Sequence, residues 1–275
     1  MNSRAYTILA AAVAGLTLIP AAHAVTGCTN DLLNGDFAVQ FSGNAMPMAG
    51  QLIGAITVPD KTPTSSPLGA TGVARFTLAT DGSMSGWSWA SLQGAWVQTA
   101  NLGGSYTVNT DCTATFTVWD ATGNMAQLSG AVVGQGESVL LTQTDAGAAI
   151  SGRMRRVRSF CQTSDMMGSF GIQYTGNTVG TNAGMVNSTG TVSLDGNGGA
   201  NAMESRFIAG KYAQTSSMGS ITINPDCSFS LMLMAADGST ANFAGLITFD
   251  ATQVPQPVLI RSDAGNDVSG SMVAQ

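Results

Sequence analysis

Histidine, the side chain that most often acts as a general base or a metal ligand, occurs once in this chain of 275 residues, at His23. Arg4, an apolar run over residues 8–19 and a small-residue motif ending at Ala24 predict a signal peptide, residues 1–24. The apolar run is too short for a membrane anchor. We therefore expect a secreted or periplasmic chain, cleaved after Ala24, that contains no histidine. A Ser-His-Asp triad, a Cys-His dyad and a histidine-ligated zinc site are excluded for such a chain.

Carboxylate pairs can catalyse hydrolysis without histidine, and four aspartates recur in matched contexts along the chain. Asp111 and Asp226 each precede a cysteine, and Asp145 and Asp263 each precede Ala-Gly. A turn role, in which the side chain accepts hydrogen bonds from the backbone two residues on, explains all four. The chain also has no phosphate-binding loop, no dinucleotide-binding fingerprint and no nucleophile elbow. We therefore predict a protein that is not an enzyme and that uses no cofactor.

The four cysteines lie beyond the signal peptide, and an exported chain meets an oxidising compartment in which thiols pair. Four cysteines allow three pairings. The chain contains an internal repeat, described below, and each copy has one cysteine before its first strand and one at the start of a central strand. The repeat favours the pairs Cys28–Cys112 and Cys161–Cys227. A metal site is the alternative, but without histidine or a C-x-x-C spacing we expect two disulfides.

Thioether sulfur is a soft ligand that suits Cu(I), and the chain has 14 methionines. Three close pairs stand out: Met46 and Met48, Met166 and Met167, and Met232 and Met234. Copper sites of this kind usually add histidine or cysteine, and neither is free here. We therefore interpret the methionines as apolar packing residues and predict no metal site.

All four tryptophans lie in the first half of the chain, at Trp87, Trp89, Trp96 and Trp119. Trp87 and Trp89 share one face of a strand. The cluster could line an apolar cavity or offer rings on which a sugar stacks, or it could fill a core or the seam between domains. We take the four tryptophans as candidate ligand-binding residues.

A run of four arginines follows, and it has no counterpart in the second copy of the repeat: Arg153, Arg155, Arg156 and Arg158. The run could bind an anionic ligand or a surface polymer. It could also be a set of solvated charges on an edge strand, or a clamp onto Asp165 or Asp145. We take the four arginines as candidate contacts to an anion or a partner.

These side chains sit on a duplicated unit. Residues 104–112 read Gly-Ser-Tyr-Thr-Val-Asn-Thr-Asp-Cys, and residues 219–227 read Gly-Ser-Ile-Thr-Ile-Asn-Pro-Asp-Cys. Several glycines recur at equal offsets from the cysteines. The repeat predicts two domains, residues 25–157 and residues 158–275.

Each domain has the pattern of short strands joined by tight turns. Residues 113–119 and 228–234 alternate between apolar and polar positions with a period of two. The Asp-Gly pairs that begin at Asp81, Asp195 and Asp237 are typical of hairpin turns, because glycine accepts the positive φ that such turns need. About eight strands per domain predict an all-β fold of two antiparallel barrels, similar in general shape to calycin barrels, or of two sandwiches. We favour barrels, since strands joined in sequence close most simply.

Composition excludes some classes of function. Charged residues make up 9% of the chain and the net charge at pH 7 is −6, which excludes a basic nucleic-acid binder. No stretch after residue 24 is long and apolar enough to span a membrane. The outer positions of two strands turn apolar at Trp119, Met232 and Met234, which predicts interdomain packing or an exposed contact surface. We expect a non-enzymatic protein that binds a small apolar or aromatic ligand. The alternative is a structural protein of the cell surface or extracellular space that self-associates or adheres.

Overall fold

A computed structural model describes residues 27–46, 51–57, 67–180 and 183–275. The predicted signal peptide lies outside these ranges. Within them the chain forms two closed antiparallel barrels of eight strands each, in tandem, and the prediction of an all-β fold with two barrels is confirmed. No helix in the described ranges has the length and apolarity that crossing a membrane requires.

The first barrel is a meander whose last strand pairs with its first. A short 3-10 helix, Asn30–Leu33, comes before the strands. In chain order the strands are β1 (Gly35–Ala45), a hairpin of β2 (Leu52–Ile53) and β3 (Ile56–Thr57), then β4 (Leu68–Leu78), β5 (Ser83–Leu92), β6 (Ala95–Val108), β7 (Thr113–Trp119), β8 (Met125–Val133), β9 (Ser138–Gln143) and β10 (Ala148–Arg156). The barrel closes between β1 and β10, where Phe37 lies opposite Arg156. The β2–β3 hairpin is not part of the barrel wall.

The second barrel repeats this order without the extra hairpin. A 3-10 turn, Thr163–Met166, precedes its strands. They are β11 (Met167–Thr178), β12 (Gly184–Asp195), β13 (Gly199–Ile208), β14 (Lys211–Ile223), β15 (Ser228–Ala235), β16 (Thr240–Phe249), β17 (Pro255–Arg261) and β18 (Asn266–Ala274). Pairing of β11 with β18 closes the barrel.

The hairpin turns are fixed by aspartates that bond the residue two places on. Asp111 accepts hydrogen bonds from the backbone N–H and the hydroxyl of Thr113, at 2.9 and 2.7 Å. These two bonds hold the pKa of Asp111 below its ordinary value. Asp226 accepts the same pair of bonds from Ser228. The turn role assigned to the repeated Asp111 and Asp226 is confirmed.

Two glycines at matched positions show why the repeat keeps this residue. Gly43 on β1 and Gly176 on β11 each cross the closing strand of their barrel at very short range. A Cβ atom at Gly43 would lie 2.1 Å from the carbonyl oxygen of Ala149, and one at Gly176 would lie 2.0 Å from that of Asp267. Any side chain at either position would push the closing strand away, so barrel closure depends on these glycines.

The β2–β3 hairpin fills one end of the first barrel. Leu52, Ile53 and Ala55 are buried in the barrel's apolar core. Gln143, at the end of β9, is also buried and accepts a hydrogen bond from the backbone N–H of Gly54 at 2.7 Å. We call residues 51–57 the plug. It is bonded to the barrel wall by a buried amide and packed by apolar side chains.

Each barrel contains one disulfide, Cys28–Cys112 in the first and Cys161–Cys227 in the second, as predicted. Each bond ties the segment before the first strand to the turn that begins a central strand. Two such bonds are typical of proteins in an oxidising, extracytoplasmic compartment.

The two barrels share an apolar seam. Ala38 and Val73 from the first barrel pack with Leu246, Val258 and Ile260 from the second. Polar groups fix the register of the seam: the side-chain amide of Gln40 on β1 donates to the carbonyl oxygen of Gly270 on β18 at 2.7 Å.

A buried carboxylate also bridges the barrels. Asp267 on β18 accepts hydrogen bonds from the Ser91 hydroxyl at 2.7 Å and from the Gly94 N–H at 2.8 Å, both in the first barrel. Burial raises the pKa of Asp267 above its ordinary value, although the two hydrogen bonds act in the opposite direction. The seam therefore combines apolar packing with specific polar contacts.

Candidate functional site

Three of the four tryptophans lie on the outer face of the first barrel, where the second barrel packs against it. Trp87 and Trp89 stand opposite Arg75 and Val73 of β4, and Val73 belongs to the seam. Trp96 packs against the same seam. Because their side chains point away from the barrel interior, these tryptophans do not line a cavity inside it.

Trp119 is separate from the other three. It lies at the end of β7, where its indole covers Gly103 so closely that a Cβ atom there would lie 2.5 Å from the indole nitrogen. The side chain is 38% exposed. The structure therefore brings together Trp87, Trp89 and Trp96 but not Trp119.

An open groove of about 580 Å³ runs beside the Trp87–Trp89 pair. The ring centroids of the two tryptophans are 4.6 Å apart, with the planes tilted by 42°. Gln98 and Asn101 from β6 line the groove on the first barrel, and Asn224 and Asp226 line it on the second. The groove thus offers two half-buried indoles together with side-chain amides that can donate and accept hydrogen bonds.

The interior of the first barrel is nearly filled. Beneath the plug lies an apolar cavity of about 30 Å³, bordered by Phe41, Phe116, Leu141 and Ile150 among others. That volume is roughly the share of one water molecule in the liquid, whereas sites for drug-sized ligands span about 300–1,000 Å³. With the plug in place this barrel has no room for such a ligand.

The second barrel has a polar cluster in its interior that the sequence analysis missed. Glu204, whose side chain is fully buried, forms an ion pair with Arg206. Tyr174 is buried beside them, and burial, followed by the negative charge of Glu204, raises the pKa of Tyr174 to about 12. Among the described residues, the hydroxyls of Tyr174 and Ser217 and the Nε of Arg206 make no hydrogen bond of good geometry.

The matched row of the first barrel shows how far the copies have diverged. Tyr174, Ser188 and Arg206 lie side by side on three strands of the second barrel. The corresponding row of the first barrel contains Phe41, Gly72 and Ala90. The first barrel therefore has a plug and an apolar row in its interior, whereas the second barrel has no plug and has buried charges in its interior.

The four arginines do not form one patch. Arg156 turns inward at the end of its barrel, where it donates to the carbonyl oxygens of Leu32 and Asn34 at 2.6 and 2.8 Å. Arg158 forms an ion pair with Asp165 at 3.3 Å and stacks over the ring of Phe249. These two arginines hold local structure, and the ion pair of Arg158 matches the clamp onto Asp165 that the sequence analysis offered as one interpretation.

Arg153 and Arg155 point the other way, towards the second barrel. Both border a pocket of about 150 Å³ between the barrels, together with Gln256 and Ser271. Burial, and then the charge of Arg153, lowers the pKa of Arg155. Neither arginine forms an ion pair with an acid of the described residues. The pair thus places two uncompensated cations beside neutral hydrogen-bonding groups.

The interpretation of the methionines as packing residues is wrong for many of them. Met166 is buried as predicted, but Met46, Met167, Met232 and Met234 are exposed. Met48 lies outside the described residues. The outer face that turns apolar at Met232 and Met234 is therefore a free surface in the described structure, not a packed seam.

Acidic and thiol ligands do not converge anywhere in the described ranges, which contain no group of three or more His, Cys, Asp or Glu side chains suited to a metal. Asp145 accepts a hydrogen bond from the N–H of Gln127 at 3.0 Å, and Asp263 accepts one from the N–H of Asn242 at 3.0 Å. The repeated Asp145 and Asp263 therefore link neighbouring hairpins, and the prediction of a bond to the backbone two residues on is wrong for these two.

No protein-family model matches the chain, and no curated protein matches its sequence. Among solved structures, the chain is similar to a Nostoc punctiforme protein of unknown function from the DUF3598 family. The two are 12% identical over 88% of this chain and 95% of that one, with a TM-score of 0.22. A likeness this weak says nothing about function, which must be argued from the residues of the site.

Proposed function

We propose that the protein is an exported, non-enzymatic binding protein that holds a small apolar or aromatic ligand against Trp87 and Trp89, in the groove between its two barrels. The observation that carries this proposal is the pair of half-buried indoles beside a groove of about 580 Å³. That volume lies within the range of small-molecule sites. The proposal includes export by the signal peptide, with cleavage after Ala24.

The groove suits a flat, ring-bearing molecule. Aromatic side chains contribute large apolar contact area, and a well-placed ring contact adds about 0.5–1.5 kcal/mol beyond the area that it buries. Gln98 and Asn101 supply amide groups at the rim, where they can orient polar substituents of the ligand. The nearly filled first barrel offers no competing site of this size while the plug is in place.

Energy transfer from tryptophan to a neutral hydrophobic fluorescent probe, N-phenyl-1-naphthylamine, tests the proposal. Trp87→Leu should weaken probe binding about threefold to tenfold, the equivalent of one lost ring contact. Trp119→Leu is the matched control, because Trp119 lies outside the groove, and it should leave the dissociation constant unchanged. Thermal unfolding of both variants shows whether the seam is intact.

Three outcomes would count against the groove: no binding of the probe by the wild-type chain, unchanged binding in a folded Trp87→Leu variant, or equal losses in the two variants. The last of these would assign probe binding to general surface apolarity.

We further propose that Arg153 and Arg155 contact an anion in the interbarrel pocket that they border. Of the four candidate arginines, we assign the anion contact to these two. Arg156 is bonded to backbone carbonyls, and Arg158 is paired with Asp165. Two guanidinium groups side by side repel each other, and an anion between them would relieve that repulsion.

A further inference from the structure

Four exposed methionines lie together on three adjacent strands of the second barrel. Met218 on β14 is the direct cross-strand partner of Met234 on β15. Met203 on β13 and Met232 on β15 lie diagonally from Met218, one on each side. Their exposures are 70% for Met203, 70% for Met218, 45% for Met232 and 51% for Met234. We call these four residues the methionine cluster.

The register places the four methionine side chains within reach of one another. Directly opposed residues on antiparallel strands have Cβ atoms about 4.5–5.5 Å apart, and diagonal neighbours are within the reach of long side chains. Methionine has three rotatable side-chain bonds and no branch. The thioethers of Met218, Met234 and either diagonal neighbour can therefore converge on a single point above the sheet without any movement of the backbone.

Apolarity alone does not explain these methionines. On β15 the inward positions are Phe229, Leu231 and Leu233, all buried, and the outward positions between them turn to Met232 and Met234. Among the described residues of the second barrel, the exposed large apolar side chains include no leucine and no isoleucine. Branched and aromatic residues suit an exposed strand better than methionine does. The outward positions at the end of β15 thus carry thioethers, while the inward positions of the same strand carry hydrocarbon side chains.

The direct cross-strand partners of the cluster are neutral. Apart from one another, its members pair with Thr191, Asn201, Ser216, Ser220, Thr240 and Asn242. Hydroxyl and amide oxygens are hard ligands that compete poorly for a soft ion. A soft monovalent cation is matched by uncharged thioethers, and a hard divalent cation would find neither charge nor oxygen geometry here.

We propose that the methionine cluster is a binding site for Cu(I), held by the thioethers of Met218, Met234 and a third sulfur from Met203 or Met232. This site is independent of the proposed ligand groove and reverses the sequence-based prediction of no metal. Because a thioether carries no proton near neutral pH, binding at this site does not compete with protons, unlike binding at histidine or cysteine.

Anaerobic titration of the purified protein with Cu(I) against a chromophoric Cu(I) chelator tests the proposal. The expected result is one equivalent of Cu(I), bound with the same affinity at neutral and mildly acidic pH. Met218→Leu and Met234→Leu, which keep the apolar volume and remove the sulfur, should each weaken binding by about tenfold or more. Met185→Leu, on the same barrel and equally exposed, is the matched control and should bind as the wild type does.

Titration with Ag(I), a soft monovalent cation without redox chemistry, adds a local readout. The methyl NMR signals of the cluster should shift together, and that of Met185 should stay in place. No binding of Cu(I) or Ag(I), or binding that survives in the Met218→Leu/Met234→Leu double variant, would overturn the proposal. If the protein binds no Cu(I) but forms dimers, and Met218→Ser converts those dimers to monomers, the cluster is a contact surface between copies of the chain.

Discussion

The bridge made by Asp267 gives the sharpest test of how the two barrels are held together. The side chain comes from β18 of the second barrel, and both of its hydrogen-bond donors, Ser91 and Gly94, belong to the first. Both bonds end on the same oxygen, Oδ1. An asparagine carbonyl can accept the same two bonds, whereas an alanine can accept neither, so the two substitutions separate the hydrogen bonds from the charge.

Asp267→Ala should destabilise the folded chain by about 2–6 kcal/mol at neutral pH, because each of the two buried donors left without an acceptor costs about 1–3 kcal/mol. Asp267→Asn should be at least as stable as the wild type at the same pH. The pKa of Asp267 is raised in the folded state, so the protonated form is the one that the fold favours. The stability that this carboxyl contributes is fully present below its unfolded pKa of about 3.9 and is lost as the pH rises through the folded pKa.

Urea unfolding followed by tryptophan fluorescence measures both effects, since Trp96 packs at the seam. The advantage of Asp267→Asn over the wild type should vanish in acid and grow as the pH is raised. Each tenfold difference in proton affinity between the folded and unfolded carboxyl is equivalent to about 1.4 kcal/mol. Stability curves of the wild type and Asp267→Asn that stay parallel across this pH range, or an Asp267→Ala variant as stable as Asp267→Asn, would show that the carboxyl does not bridge the barrels in this way.

Two further substitutions probe barrel closure and the arginine pocket. Gly176→Ala should lower the stability of the second barrel by about 1–3 kcal/mol or prevent its closure, since the new Cβ would meet the Asp267 carbonyl at 2.0 Å. Gly171→Ala on the same strand has room and should be tolerated in the same thermal unfolding assay; equal effects would contradict this account. Sulfate at constant ionic strength should raise the melting temperature of the wild type but not of Arg155→Gln. Lys211→Gln, which removes an exposed cation elsewhere, should respond as the wild type does. An equal response to sulfate in all three chains would contradict the proposed anion contact.

The sequence was sufficient for the fold because the repeat supplies each element twice. Matched cysteines selected the disulfide pairs, and matched Asp-Gly turns and alternating strands predicted antiparallel barrels. Alternation also separates the inward from the outward face. It could have revealed the polar interior, because Glu204 and Arg206 continue the inward series of Ala200 and Ala202.

The position of the tryptophans could not be obtained in the same way. Outward strand positions normally face water, and Trp87 and Trp89 are half-buried only because a second barrel covers that side of the first. A single sequence gives the faces of each strand but not the surface that another domain covers. The methionines were misjudged for a related reason: general preference places methionine in cores, and only the register of β13, β14 and β15 shows which of them face outward together.

The plug was also beyond the sequence, although the lengths of the two copies hinted at it. The connection between β1 and β4 spans residues 46–67, whereas the one between β11 and β12 spans residues 179–183. An insertion of that size usually extends over the surface. Here Leu52 and Ile53 turn inward and are buried in the core of the first barrel, where the ring of Phe41 lies between Gly72 of the wall and Gly54 of the plug.

The position of the disulfides along the chain has a consequence for the order of folding if the chain is exported as proposed. Cys112 precedes β7 to β10 and Cys227 precedes β15 to β18, so during such export both thiols of each barrel would reach the oxidising side before the strands that close it. The covalent bond can therefore form on an open, half-translocated sheet. It then shortens the loop that the final strand must bridge, which is the slow, entropically costly step for a meander whose first and last strands pair. A chain that emerges from its amino end would complete one barrel while the other is still threading, and the seam would form last.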